Sequence, residues 1–353
     1  MLPTEPIGSI PRPKALVDAI LSYREGQLDR NELDEIYDQS IRDTLEAFET
    51  TGSPVITDGE QTKPLFEMYP VCGLENVDPQ GIKINCKNRH VAHLPRLTEG
   101  PFQYNTYADA YLDVALKYAN KPVKQNVISP SSLSLIYPEE GIEGYPREKF
   151  LEDLVDEAEK EIRLCLSSGA YNVQMNFSEA LSAFQLDPGK ESLKSLINID
   201  NRVLKRFSTE EQKRIGIHIC PRGAQGASQN SLINYMGVLP LLFTLAAGRF
   251  YIQFAGETDK EGILQCINKH LGPEQMVFLG VIDVSQPVIE APEKIRDMIL
   301  KAAEYIPVIQ LGTTDDCGFS AFSDDLAASR KMAFEMIRVR LQGNRMASEE
   351  LNF

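Results

Sequence analysis

His218 and Cys220 stand two residues apart at the end of a short apolar run, Ile-Gly-Ile-His-Ile-Cys at 215–220. In an extended strand residues i and i+2 share a face, so an imidazole and a thiol would project together. Cys317, far along the chain, stands beside Gly318 and two acids, Asp315 and Asp316. Brought to the same place, it would complete a face of three soft ligands. Zinc takes imidazole and thiolate, and a catalytic zinc keeps at least one position open. A His-x-Cys pair alone is a weak signal, because histidine and cysteine in strands are commonly packed core residues. The distant Cys317, at a second strand end, is what favours metal over packing. Cys72, Cys86, Cys165 and Cys266 fall in helical sequence or in an insertion and read as ordinary thiols. His90, His93 and His270 read as ordinary imidazoles.

The elements that must position these residues alternate. Apolar, β-branched runs at 171–175, 215–219, 250–254, 276–281 and 306–311 predict strands. Between them, 231–245, 259–271 and 291–305 carry apolar residues at helical spacing. Pro292 followed by Glu293 marks a helix's first turn, and a last helix is predicted over 323–341. Earlier, 6–9, 54–57 and 123–128 are strand candidates, with helices at 33–50 and 147–168. Strands alternating with helices imply parallel βαβ units. Eight such units suggest a closed α/β barrel, the (β/α)8 TIM barrel, spanning 1–353 as one domain. Residues 73–104 fit no barrel unit; 82–85 and 91–94 predict a hairpin there. It is expected near the mouth, as an active-site lid or as the oligomer contact of a homodimer.

In such barrels chemistry sits where strands end and βα loops begin. The reactive residue types collect at those places. Ser9 follows the first strand candidate, Asp58 and Glu60 the second, and Asn176 the fourth. His218 and Cys220 close the fifth and Gln253 the sixth. Asp283 and Ser285 follow the seventh, and Asp315, Asp316 and Cys317 the eighth. A closed barrel would bring all of them to one mouth.

Composition narrows the partners. The 353 residues, 42% of them apolar, suffice for a sizeable core. The formal net charge of -15 argues against nucleic acid, whose phosphates need a basic surface, and against an anionic membrane surface. It reads as solubility. No run approaches a membrane span and no early stretch reads as a signal peptide. A cytoplasmic protein is expected, in which the six cysteines are free thiols or ligands instead of disulfides.

Several motifs then carry a resemblance over nearly the whole chain. They are Pro6-Ile7-Gly8-Ser9-Ile10-Pro11, Thr57-Asp58-Gly59-Glu60, Ile217-His218-Ile219-Cys220, Gly280-Val281-Ile282-Asp283-Val284 and Asp316-Cys317-Gly318-Phe319. In this order and spacing the chain resembles the catalytic domain of cobalamin-independent methionine synthases, in its single-domain branch. The resemblance implies a (β/α)8 barrel and a zinc ion that binds the thiol of homocysteine, which then attacks a methyl group carried by a folate. It implies His218, Cys220 and Cys317 as ligands. It assigns Ile7, Gly8, Ser9 and Glu60 to the polar end of the thiol substrate, and Asp283 to the catalytic machinery.

The chain also departs from that pattern. The family's fourth ligand, a Glu, aligns with Gln253, and Glu257 would substitute only if the loop bends. The family's substrate-binding Asp aligns with Asn176, and its proton-transferring His with Ser285. The Trp that stacks on folate has no counterpart, since the chain has no Trp; Ile136 or Tyr137 stands near that place. The N-terminal half of the long synthases has no counterpart either. Three functions fit these residues. One is methyl or alkyl transfer to a thiol. A second is epoxyalkane:coenzyme M transferase-like addition of a thiol to an epoxide or other electrophile. The third is a non-catalytic zinc or small-ligand binder. A metal-free aldolase would need a lysine or a phosphate loop at a strand end, and neither is found there.

Overall fold

The computed structural model describes residues 1–353 apart from 64–68, 86–90, 178–179, 181–182, 184–186, 188, 220–234, 287 and 321–328. An antiparallel hairpin, β1 (Val77–Asn85) and β2 (Val91–Leu97), precedes six parallel strands. These are β3 (Gln125–Ile128), β4 (Val173–Asn176), β5 (Ile215–Ile219), β6 (Arg249–Ile252), β7 (Met276–Gly280) and β8 (Leu311–Thr314). They lie side by side in chain order, as short connections through helices require. Nearly every residue in them is buried, which explains why they read as continuous apolar runs without alternation.

The ring closes through the first sixty residues. Thr4 bridges β8 at Thr313, with Glu5 N–H donating to the Thr313 carbonyl at 3.0 Å and Thr313 N–H to the Pro3 carbonyl at 2.9 Å. Ile56 bridges Val123 just before β3. The two segments are joined by Ile10 N–H to the Gly59 carbonyl at 3.0 Å and by Thr57 Oγ1 to the Gly8 carbonyl at 2.8 Å. The expected barrel is therefore present, but its first two strands are single bridges, not the runs 6–9 and 54–57. Pro6 and Pro54 lack the N–H a ladder needs. The eighth strand begins at Leu311 and not at 306, because Pro307 leads into a 3-10 turn, Val308–Gln310.

The helices fall close to their predicted places. Arg30–Thr51 starts on an Asp29/Glu32 capping box and stops at Gly52 in the left-handed region. Arg147–Ser167, Lys260–His270 and Pro292–Ala303 match three more. Of the helix expected over 231–245, residues 231–234 lie outside the described residues, and Tyr235–Leu242 is helical, ending three residues before the expected end. The last helix, Arg330–Glu350, extends beyond its predicted end. The hairpin is longer than 82–85 and 91–94. Its second strand reaches the loop beyond β3, where Arg96 forms an ion pair with Glu140.

Among the described residues the buried apolar side chains fall into three clusters, one of them the small group Leu16, Ala19, Ile20 and Leu33. Most buried apolar side chains form one core between sheet and helices. Ile7, Tyr251 and Phe278 form a separate small cluster within the ring. Around it stand buried charges. Glu5 accepts from Tyr251 Oη at 2.6 Å, Arg249 Nη1 at 2.6 Å and Asn172 Nδ2 at 2.9 Å. Lys124 Nζ lies 3.8 Å from the same carboxylate and 4.1 Å from the centre of the Tyr251 ring. Burial lowers the Lys124 amine to about 7, with Glu5 opposing the shift.

A second buried pair ties the last helix to the barrel: Arg340 Nη1 lies 2.6 Å from Asp315 Oδ2, with both side chains buried. Breaking such a pair leaves an uncompensated charge in a dry site. Asp315→Asn is expected to lose about 3–5 kcal/mol in urea unfolding, and Asp315→Asn combined with Arg340→Met to recover most of it. A loss under about 1 kcal/mol, the level of an exposed pair, would show that this contact does not anchor the helix.

Candidate metal and substrate site

Register places the inner residues of the site. Asn176 on β4 pairs with His218 on β5, and His218 pairs with Tyr251 on β6. Cross-strand partners share a face of the sheet, and Tyr251 points into the ring toward Glu5. His218 is 5% exposed, and neither Nδ1 nor Nε2 has a partner at hydrogen-bond geometry among the described residues. Burial, with the Lys124 charge adding to it, lowers its pKa to about 3. The imidazole is neutral, with an unused lone pair, which is the state in which histidine binds a metal.

Gln253 follows β6 and is held from two sides. Its backbone N–H donates to Tyr235 Oη at 3.1 Å, and Tyr235 Oη donates to the Ile219 carbonyl at 3.4 Å. One hydroxyl thus ties the end of β5 to Gln253. The Gln253 side chain donates through Nε2 to Glu257 Oε1 at 2.8 Å, while its Oε1 is buried without a partner among the described residues. The loop does bend back toward Glu257, with Glu257 N–H donating to the Phe254 carbonyl at 3.1 Å.

Asp316 joins this loop to the one that carries Cys317. Its carboxylate accepts the backbone N–H groups of Phe254, Ala255 and Gly256 at 2.8, 2.9 and 2.7 Å. Burial raises the carboxyl to about 8 against the pull of those donors. Cys317 is half-buried and disulfide-bonded in this structure, against the expectation that the cysteines are free thiols or ligands. It can bind metal only when reduced, since the thiolate is the ligand. Cys220 lies outside the described residues. Among the described residues no three His, Cys, Asp or Glu side chains form a metal cluster by themselves; the expected set also includes Cys220 and an amide, Gln253.

The first loop is pressed against both sides of the mouth. At Gly318 an added Cβ would lie 2.1 Å from Ser9 Oγ, and Phe319 N–H donates to the Ser9 carbonyl at 3.0 Å. At Gly8, where φ is +157°, a Cβ would lie 2.0 Å from Asn126 Nδ2. That amide donates to the Ile7 carbonyl at 3.0 Å and to Glu60 Oε1 at 2.7 Å. Burial raises the Glu60 carboxyl, with Lys63 and Asn126 opposing.

Asn176 is oriented by a relay. Lys124 Nζ can only donate, and it donates to Gln174 Oε1 at 2.7 Å. Gln174 Nε2 then faces the other way and donates to Asn176 Oδ1 at 2.8 Å and to the Ile7 carbonyl at 3.2 Å. What Asn176 has left for a ligand is its N–H donors.

Ile7, Gly8, Ser9, Glu60, Asn176, His218, Gln253 and Cys317 are thus linked through shared contacts or strand register. Two of the expected residues stand apart from these links. Tyr137 is committed to packing: its ring stacks on Phe150 at 5.1 Å, and its hydroxyl donates to the Tyr145 carbonyl at 2.7 Å. Ser285 is exposed, and it is its backbone N–H that donates, at 2.8 Å, to Asp283 Oδ1. Asn126, Gln174 and Lys124 were missed. Their signal was polar side chains within strand sequence, at 124–126 and at 172 and 174.

Comparison with known proteins places the chain in sequence and fold. The family model for the cobalamin-independent synthase catalytic domain matches residues 106–336, more than half of the chain. A methionine synthase of Pyrococcus furiosus is 24% identical over 361 residues, covering 99% of this chain and 94% of that protein. One of Saccharolobus solfataricus is 22% identical over 357 residues, covering 99% and 96%. Among solved structures, a B12-independent methionine synthase from Shewanella sp. W3-18-1 in complex with selenomethionine superposes with a TM-score of 0.76. It is 19% identical, and the match covers 100% of this chain and 99% of that one.

The close approach at Gly8 is testable. Gly8→Ala must displace Asn126 and release Glu60, an overpacking expected to cost about 1–3 kcal/mol in urea unfolding. A crystal structure of the variant should show the Asn126–Glu60 hydrogen bond broken. An unchanged midpoint with that bond intact would remove the steric argument.

Proposed function

The chain belongs to the cobalamin-independent synthase catalytic-domain family, and on that premise we propose that it is a zinc-dependent transferase that moves a methyl or other alkyl group onto a thiol. His218, Cys220 and Cys317 hold the metal, with Gln253 beside them. The observation that carries the reading is His218, a buried neutral imidazole whose ring nitrogens have no partner at hydrogen-bond geometry among the described residues. Such a group costs free energy unless something binds it. The buried, unpartnered Oε1 of Gln253 fits the same explanation. Zinc bound there would hold a substrate thiol, whose ordinary pKa is near 8.5, as the nucleophilic thiolate at neutral pH.

The chain's own residues position the acceptor. Glu60, held by Asn126, is the carboxylate offered to an ammonium group such as that of homocysteine, the acceptor that family membership implies. Asn176 offers N–H donors to an electron-rich group, a carboxylate or a sulfonate. Asp283, its Oδ1 held by the Ser285 N–H, is the proton acceptor at the mouth. Asp316 keeps the two metal-bearing loops together. No described helix is long and apolar enough to cross a membrane. Thiolate ligands need a reducing compartment, so we place the enzyme in the cytoplasm.

A second reading changes the electrophile and the thiol but keeps these residues. With Asn176 in place of an acid and its Oδ1 already taken by Gln174, the site is also suited to a thiol that carries an acidic group and no ammonium, adding to an epoxide or similar electrophile.

Two measurements follow. Protein purified under reductant is expected to hold about one zinc per chain, as a three-ligand catalytic site does. Cys220→Ser and Cys317→Ser should each lose most of it; full retention in both would end the metal assignment. For the acceptor, thiol binding to cobalt-substituted enzyme is read by its absorption spectrum, with homocysteine and 2-mercaptoethanesulfonate compared. Asn176→Asp should shift the preference toward homocysteine by about 1–3 kcal/mol, the worth of a charged hydrogen bond. An unchanged ratio would show that Asn176 does not read the acceptor.

A further inference from the structure

Gln253 presents a difficulty for the proposed metal site. An amide is a poorer ligand for a dication than a carboxylate, because it brings no negative charge. The structure supplies that charge one bond behind. Gln253 Nε2 donates to Glu257 Oε1 at 2.8 Å, and the opposite end of the same amide, Oε1, is buried with no partner among the described residues. Because the N–H end is fixed on a carboxylate, the amide cannot flip, and the oxygen end is the one left for a ligand. A hydrogen bond from the amide to an anion also polarises it and makes its oxygen a better donor to a cation.

We infer that Glu257 is a positioning residue for the metal, fixing Gln253 by its Oε1 and lending that oxygen negative character, so that the Gln253–Glu257 pair takes the place of a single carboxylate ligand. The inference rests on the metal site proposed above. The loop is built to hold the pair. Glu257 is half-buried, its backbone N–H is held by the Phe254 carbonyl at 3.1 Å, and its own carbonyl accepts from Lys260 Nζ at 2.6 Å. Asp316 holds the three residues between the two side chains through their N–H groups. The Gln253 backbone is held separately by Tyr235 Oη. The arrangement resembles the carboxylates that orient metal-bound histidines from behind, whose loss costs about 10–100-fold in metal affinity.

The pair also changes what a charged ligand at 253 would do. Gln253→Glu alone would set two carboxylates in contact, and like charges there oppose each other. Exchanging the two residues keeps the hydrogen bond and moves the charge onto the metal side.

The test is cobalt(II) titration of the full-length reduced chain, with affinity and the visible spectrum read together and unfolding followed in parallel. Glu257→Ala is expected to weaken cobalt binding about 10–100-fold and to shift the spectrum. Glu257→Gln, which can still accept the hydrogen bond, should weaken it less. Gln253→Glu with Glu257→Gln should bind at least as tightly as wild type. Unchanged affinity and spectrum in Glu257→Ala, whether or not its unfolding midpoint falls, would reduce Glu257 to a loop contact and overturn the inference. So would unchanged binding in Gln253→Ala. Absence of any cobalt or zinc binding by the reduced wild type would instead overturn the metal site itself.

Discussion

A buried carboxylate, Glu5, is the interaction on which the rest of the barrel interior depends. Three donors converge on it: a phenol and a guanidinium from β6, Tyr251 and Arg249, and the amide of Asn172 beside β4. Lys124, beside β3, completes the group. Glu5 enters from the short segment that closes the ring against β8. A charge in such a place is tolerated only when every neighbour answers it. The convergence therefore specifies which strands face one another, more than it adds net stability.

The same cluster reaches the site. Lys124, held between Glu5 and the Tyr251 ring, turns Gln174, and Gln174 turns Asn176, which stands in register with His218. The polarity that the mouth offers a substrate is thus set by a charge near the barrel's middle. A parallel arrangement holds on the other side of His218, where Glu257 stands behind Gln253. At both positions the inner residue is an amide backed by a charged group: Glu257 lies one hydrogen bond behind Gln253, and Lys124 two behind Asn176, through Gln174. The amides are neutral, but they are not unconstrained: each has one end fixed and only the other to offer.

Backbone contacts do the remaining positioning. Gly8 and Gly318 let the first loop lie against Asn126 and against the Cys317 loop at distances no side chain would allow. Asp316 gathers three N–H groups from the β6 loop beside the cysteine it precedes. These contacts join residues from both ends of the chain, so the site forms only when the barrel closes.

Much of this was legible in the sequence, and the reason is that it is local. Alternating apolar runs and helical spacings follow from backbone geometry alone, and they foretold six of the barrel strands and the principal helices. The two-residue period put His218 and Cys220 on one strand face, and the rule that barrel chemistry lies at strand ends pointed to Glu60, Asn176, Gln253 and Cys317 as candidates. Other features were decided only by the tertiary structure. The first two strands are single bridges, and their placement at Thr4 and Ile56 depends on which groups Thr313 and Val123 present across the ring. Tyr137, near the place of a ligand-stacking ring, was taken by Phe150 and the Tyr145 carbonyl. The orientation of Asn176 depends on Lys124, about fifty residues earlier, through Gln174. Glu257 stood four residues from Gln253 in the sequence, but only the bend of the loop brought the two side chains into contact. A residue's period along the chain is a property of its own backbone. The end of an amide that faces a ligand is determined by donors and acceptors on other strands, and only the closed fold brings those within reach.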